Sequence, residues 1–268
     1  MKKTSLLFVL VVLATALNAQ WYIQPYTGYM FSSHPQQLKT YEIIDNKISV
    51  FNRTFNYGQG MNPGIILGKH LGDFMSVELN ACAHVFSSFK NSIAEPDLSS
   101  VSRFSFNGWL GDITYRSSIY QVSPQVGYHV SMNKFVVSLK VGPNVLKANM
   151  NYKMNYISWR MQDFKAIPVH NYQEIDYTGN VNIGFRSSVS VGYTLSPAVT
   201  LCFDFVSVYN KCKIKEGTIK KYEIEGVNSI DQLSSTNVEG GDANHNINFS
   251  QLGIAVGLKY TFAGTSKK

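Results

Sequence analysis

The chain has 268 residues, 24 Lys+Arg against 17 Asp+Glu, and 16 each of Tyr and Phe. The mild basic excess has no cluster beyond Lys267-Lys268, so no nucleic-acid partner is expected. Cys82, Cys202 and Cys212, odd in number and far apart, exclude a disulfide scaffold.

The first element is "MKKTSLLFVLVVLATALNAQ". A basic start at Lys2 and Lys3, an apolar run over Leu6 to Leu13 and small residues before a break after Ala19 read as a secretory signal peptide, residues 1–19. Its loss removes two positive charges and leaves 22 basic against 17 acidic residues, a formal +5. No cysteine follows the break to carry a lipid anchor. Nothing later reaches the roughly 18 apolar residues a membrane helix needs.

Eight segments follow in which residue character alternates with period two, the mark of strands with unlike faces. "WYIQPYTGYMF" (21–31) is aromatic on both sides, and its facing stays open. In "GMNPGIILGKHL" (60–71), Met61, Ile65 and Leu67 share one side and Ile66 breaks the pattern. Met75, Val77, Leu79 and Val85 mark the third segment; Val122, Val126, Tyr128 and Val130 mark the fourth. Phe135 to Val145, Val181 to Tyr193, Val199 to Phe205 and Leu252 to Phe262 supply the remaining four.

The connections alternate in length. Segments two and three meet at "KHLGDF" (69–74), four and five at "HVSMNKF" (129–135), six and seven at "YTLSPAV" (193–199). Each carries the Gly, Asn or Ser-Pro chemistry of a tight turn. Between these hairpins lie polar stretches at roughly 32–57, 87–117, 148–180 and 210–248, too long for structureless loops in an ordinary compact domain. Short turns at one rim and long loops at the other are the layout of an outer-membrane barrel.

The faces agree with this. One is Val, Leu, Ile, Phe and Tyr; the other is mostly Gly, Ser, Asn, Gln and Thr. A face washed by water carries many Lys and Glu, whereas small uncharged residues suit a crowded interior. Lipid demands that every strand edge be paired, and eight strands close around a space that side chains just fill. The expected fold is all-β: an eight-stranded antiparallel up-and-down transmembrane barrel over 20–262, with short periplasmic turns, four long extracellular loops and a polar tail, 263–268. Tyr128, Phe135, Tyr193, Tyr260 and Phe262 are expected to gather as an aromatic girdle at the short-turn rim. Ten strands remain possible if "RFSFNGWLGDITY" (103–115) turns near Gly111-Asp112.

The chain resembles the small outer-membrane β-barrel proteins of the OmpA transmembrane-domain and OmpX type, most closely the outer-membrane β-barrel domain family abundant in Bacteroidota. The resemblance is carried by the "NAQ" signal ending and by residues 120–149. There Tyr120 and Pro124 form a Tyr-x-x-x-Pro strand and Gly142-Pro143 sits in the next one. The closing "GLKYTF" adds to it, although "AGTSKK" follows where the family ends on the aromatic. It implies outer-membrane lipids as surroundings and insertion by the barrel-assembly machinery through a closing strand whose anchor is Leu258, Tyr260 and Phe262. It assigns no activity.

Glu78, Lys140, Arg186, Asp204 and Lys259 fall on the interior phase. With Tyr193 opposite Val199, Arg186 lies one step off a Ser188–Asp204 pair, diagonal to Asp204 and within reach of it. Buried charges need partners, so these five residues are expected to form an ion network in the lumen. No His, Cys or carboxylate spacing fits a metal, and no cofactor or catalytic constellation is expected; His129 and Ser131 lie at the wrong rim for a lipid deacylase.

The loops carry the remaining signals. "TYEIIDNKISVF" (40–51) reads as a hairpin turning at Asp45-Asn46, and "KIKEGTIKKYEI" (213–224) as one turning at Glu216-Gly217. Tyr152, Tyr156 and Trp159 place aromatics in the third loop as binding residues. The expected function is structural, surface-exposed or adhesive, with a narrow porin-like channel second, a soluble lipocalin-like periplasmic binder third and an enzyme last.

Overall fold

The structure is a computed structural model that describes residues 20–33, 36–44, 47–55, 59–86, 89–96, 108–163, 165–233, 236–238 and 246–262. The expected signal peptide and polar tail lie outside these residues. In chain order the strands are β1 (Trp21–Ser32), β2 (Gln36–Ile44), β3 (Lys47–Phe55), β4 (Gly60–Met61), β5 (Gly64–Leu71), β6 (Met75–Phe86) and β7 (Phe89–Pro96). Then come β8 (Gly108–Met132), β9 (Phe135–Gln162), β10 (Lys165–Gly179), β11 (Asn182–Ser196), β12 (Val199–Tyr209) and β13 (Lys211–Ile224). Three short pieces, β14 (Val227–Asn228), β15 (Asn237–Val238) and β16 (Asn246–Asn248), precede β17 (Gln251–Thr261).

Eight of them close into a ring: β1, β5, β6, β8, β9, β11, β12 and β17, each antiparallel to the next, with β17 returning to β1. They coincide with the eight alternating segments of the sequence. β4 continues β5 beyond Asn62-Pro63, where a proline without an N–H interrupts the ladder. The short connections are tight, as expected. Gly72 (φ 72°) and Asn133 (φ 54°) take the left-handed conformation that two of the turns require.

The third turn corrects the expected register. A bulge between Thr194 and Ser196 pairs Ser196 with Val199 and Tyr193 with Leu201. The ladder therefore slides, and Asp204 stands opposite Ser190 instead of Ser188.

The expected long loops are also corrected. β8 and β9 run 25 and 28 residues, far past the ring. Their far halves form a projecting sheet in the order β13-β10-β9-β8-β7. β9 serves both parts: Phe135–Leu146 pairs with β11, and Asn149–Gln162 pairs with β10. Gly111-Asp112 is no turn, because both residues lie mid-strand between β7 and β9, and the ten-stranded alternative falls. Nor does Glu216-Gly217 turn, since β13 stays paired with β10 through Thr178 and Tyr177. The 40–51 hairpin does form, with β2 and β3 closing at Ile44 opposite Lys47.

Candidate functional site: a charged lumen, an apolar plug and a projecting sheet

Within the ring most apolar side chains point outward. Val126, Leu139, Phe203, Phe205 and Ile254 are 47–60% exposed. Gln24, Asn80, Ser123, Asn144 and Ser190 are buried on the opposite face. This is the reverse of a lipocalin-like arrangement, whose apolar face would look inward. Aromatics crowd both ends of the outward face. Phe74 stacks on Tyr128 at 6.3 Å, Phe135 meets Tyr193 at 5.3 Å and Tyr260 meets Phe262 at 5.2 Å at the short-turn end. Exposed Phe31, Tyr120, Phe185 and Tyr209 mark the other end.

The closing strand is in place. Leu258, Tyr260 and Phe262 project outward, and the Phe262 N–H donates to the Trp21 carbonyl at 2.9 Å, tying the end of β17 to the start of β1.

All five expected lumen residues point inward, but they form two separate groups. Lys140 Nζ lies 3.1 Å from Glu78 Oε2. Tyr22 Oη and Ser76 Oγ donate to Glu78 Oε1, at 2.5 and 3.1 Å. Lys259 Nζ sits over the Tyr22 ring, 5.3 Å from its centre. The His70 ring lies 4.7 Å from Tyr22 and 4.8 Å from His129. Higher in the lumen, Gln24 Nε2 donates to Asp204 Oδ2 at 3.0 Å, while Arg186 donates to Tyr26 Oη at 3.4 Å and to Cys82 Sγ at 3.6 Å. Arg186 and Asp204 line one cavity without pairing, contrary to expectation, because the bulge moved Asp204 one inward position further from Arg186.

Tyr22, Gln24, Tyr26 and His70 are the lumen residues that sequence reasoning missed. The signal was present in β1: Tyr, Gln, Tyr at 22, 24 and 26 each carry a hydrogen-bonding group, whereas Trp, Ile, Pro at 21, 23 and 25 offer almost none.

Above these layers the lumen carries an apolar cluster, the plug. Ile119, Leu146, Ala148, Met150, Cys212 and Phe249 form one cluster, with Ile119, Leu146, Cys212 and Phe249 fully buried. Full burial of a Leu, Ile or Phe side chain contributes about 1.5–3 kcal/mol each. Met30, Val206 and Val208 form a second buried cluster on β1 and β12.

The plug begins where the faces exchange character. On β8, Tyr120, Val122 and Val126 face out, whereas beyond them Ile119, Tyr115 and Ile113 face in and Arg116 is exposed. On β9, Leu139, Val141 and Val145 face out, then Leu146, Met150 and Tyr152 take the inner phase while Lys147, Asn149, Lys153 and Asn155 are exposed. Both exchanges fall at the same level, because Tyr120 pairs with Lys147 and Ile119 with Ala148.

The projecting sheet keeps the exchanged polarity. The Tyr152 ring packs edge-on against Tyr115 at 4.5 Å, their hydroxyls 3.0 Å apart, and lies 6.1 Å from Tyr177. Tyr152 and Tyr156 are half-buried on the inner face of β9, not in an open loop, and Trp159 stands opposite Pro168 in the ladder. On the outer face Asn151 Nδ2 donates to Glu174 Oε1 at 2.9 Å and Asp176 Oδ1 at 2.7 Å, and Lys153 Nζ lies 3.2 Å from Glu174. The Asn151 hydrogen bond, with Lys153 and Tyr172 adding to it, holds the Glu174 carboxyl below the ordinary carboxylate range. Among the described residues no His, Cys, Asp and Glu group has metal-binding geometry.

No family model and no curated protein sequence matches the chain. Among solved structures it is similar to Neisserial surface protein A at 10% identity and a TM-score of 0.42, covering 91% of this chain and 99% of that one. It is similar to the outer membrane protein OprG from Pseudomonas aeruginosa at 10% identity and a TM-score of 0.40, covering 91% and 97%. It is also similar to the outer membrane protease OmpT from Escherichia coli at 10% identity and a TM-score of 0.38, covering 91% and 96%. Likenesses this distant carry no conclusion about what the chain does.

Proposed function

We propose that this chain is an integral outer-membrane β-barrel protein with a closed lumen, acting as a structural, surface-exposed or adhesive element through the sheet projecting beyond its far rim. The observation that carries the reading is the exchange of polarity along β8 and β9 at one common level. Below that level the outward face is the one lipid requires; above it the outward face is the one water requires. A soluble barrel has no cause to reverse its faces half-way along a strand. An eleven-residue strand such as β17, tilted about 40°, spans roughly 25 Å, the height of a barrel's lipid-facing band. The aromatic girdles at both ends of the outward face fit its two interfaces.

In this orientation the short turns are periplasmic and the projecting sheet is extracellular. Tyr260 and Phe262 present the closing-strand aromatics to the barrel-assembly machinery. The apolar plug, in which Ile119, Leu146 and Phe249 are fully buried, favours a closed lumen over the porin-like alternative. The reading is non-enzymatic.

The test is the electrophoretic mobility of the protein from purified outer membranes, boiled and unboiled. A closed barrel that resists detergent shifts on boiling and stays in the membrane after alkaline extraction. Recovery as a freely soluble periplasmic protein would overturn the proposal.

A further inference from the structure

We infer that the short-turn end of the lumen binds one small monovalent anion, a halide such as chloride, at Lys259; this goes beyond the function proposed above, which assigns no ligand to the lumen. The charges of the two lumen layers point to it. In the upper layer Arg186 and Asp204 line one cavity, a cation and an anion together. In the lower layer two lysines, Lys140 and Lys259, share a cavity with a single carboxylate, Glu78. That carboxylate is already engaged, with Lys140 on Oε2 and the Tyr22 and Ser76 hydroxyls on Oε1.

Lys259 is the cation left over. Among the described residues its ammonium has no ion-pair or hydrogen-bond partner, and its contact is the Tyr22 ring beneath it. An aromatic face attracts a cation without neutralising it, and a charge drawn out of water needs a partner. Asp73, the carboxylate of the turn between β5 and β6, is exposed to solvent. Asp204 is turned to Gln24 and the upper cavity.

The rest of the lower cavity is rich in donors. His129, Ser138 and Ser190 stand side by side in one row of the ladder, on β8, β9 and β11, and all three line the cavity with Lys259 and His70. Hydroxyls, imidazole N–H groups and an ammonium can all donate to one anion. The space between them is that of about one water molecule. It suits a single-atom anion and is too small for phosphate. His70 and Lys259 are half-buried, so the cavity opens at the short-turn rim. An anion held there ties the closing strand β17 to β8, β9 and β11 across the lumen.

The experiment measures the nuclear magnetic resonance line width of chloride in solutions of the full mature chain folded in detergent. The site predicts an excess width that saturates with chloride and is removed by bromide ahead of sulfate. Lys259→Gln should weaken binding at least about 10-fold, through loss of a charge-assisted contact. Lys134→Gln, at an exposed turn lysine of the same rim, should leave it unchanged. No excess width in the parent, equal width in Lys259→Gln, equal loss in Lys134→Gln, or displacement by sulfate ahead of bromide would overturn the site. A second readout needs no variant: crystals of the parent grown in bromide should show an anomalous-scattering peak beside Lys259 Nζ, and a map without one would overturn it too. Both readouts require only the folded ring, so they stand or fall separately from the membrane reading.

Discussion

The ring and the projecting sheet share two continuous strands, yet they solve opposite problems. In the ring β8 and β9 turn Val126, Leu139 and Val141 outward and hold Gln125 and Lys140 inside. In the extension the same strands turn Lys153 and Asn155 outward and hold Ile113, Met150 and Tyr152 inside. A strand has no preference between these states, since its side chains alternate in both. What changes is the phase of the apolar residues, by one position, at Ile119-Tyr120 and at Val145-Leu146. A single pair of adjacent apolar residues is thus enough to turn a strand inside out with respect to its solvent.

The sharpest break of the comparison lies in the buried charges. Lys140→Met removes the ion-pair partner of Glu78 at the heart of the ring and is expected to cost about 3–5 kcal/mol in urea unfolding from lipid vesicles, because a buried carboxylate is left without its counter-charge. Pairing it with Glu78→Gln should recover most of that loss. The extension's outer pair, Lys153 and Glu174, is exposed at the lysine, and Lys153→Met should cost less than about 1 kcal/mol in the same assay.

Next comes the plug. Leu146→Ala, at the fully buried junction of the two regions, is expected to cost about 2–5 kcal/mol. Bilayer recording should find the parent protein silent; steady conductance through it would contradict a sealed lumen. Ser190→Ala, buried in the ring's polar interior, should cost no more than about 1.5 kcal/mol.

A third contrast uses one residue type in both regions. Val141→Lys on the outward face of the ring should cost about 2–4 kcal/mol, the range for a lysine at the middle of the lipid-facing band. Asn155→Lys, outward on the same strand in the extension, should change stability by less than about 0.5 kcal/mol.

The smallest effect is the response to acid. Glu174 is held below its ordinary range, chiefly by the Asn151 hydrogen bond. A depressed carboxylate stabilises the folded form above its unfolded pKa, and this contribution is lost as pH falls through the folded value. Acidification below the ordinary carboxylate range should therefore speed hydrogen exchange of the Asn151 and Asp176 amides while leaving those of Val126 and Leu139 unchanged. Glu174→Gln should remove the pH dependence.

Six of the eight ring strands were legible because each has one apolar and one polar face that keep their phase for the whole crossing; β1, aromatic on both faces, and β5, interrupted by the inward Ile66, gave weaker signals. The extension was not legible, and the reason is specific. Ile113, Tyr115 and Ile119 alternate as well as Val122 and Val126 do, but in the other phase, and the switch reads as the end of a strand. Tyr152 and Tyr156 therefore looked like loop aromatics, when they are inner-face residues of β9. The inward positions of Glu78, Lys140, Arg186, Asp204 and Lys259 were legible from the same alternation; the Glu78–Lys140 pair was not, because β6 and β9 are not neighbours and the two side chains meet across the lumen. Arg186 with Asp204 was not, because a single bulge at Thr194 to Ser196 moves the register and no residue in "YTLSPAV" announces it.

The most direct test of the account is to map the solvent of outward positions along β9, using single spin labels at 137, 141, 145, 149, 151 and 155 in a Cys82-, Cys202- and Cys212-free chain inserted in lipid vesicles. The phase exchange at Val145-Leu146 predicts labels open to oxygen and closed to a water-soluble nickel complex at 137 and 141. It predicts the reverse at 149, 151 and 155, with the crossover near 145. Nickel access at every position would contradict it, and would mean that the apolar face of the ring does not meet lipid.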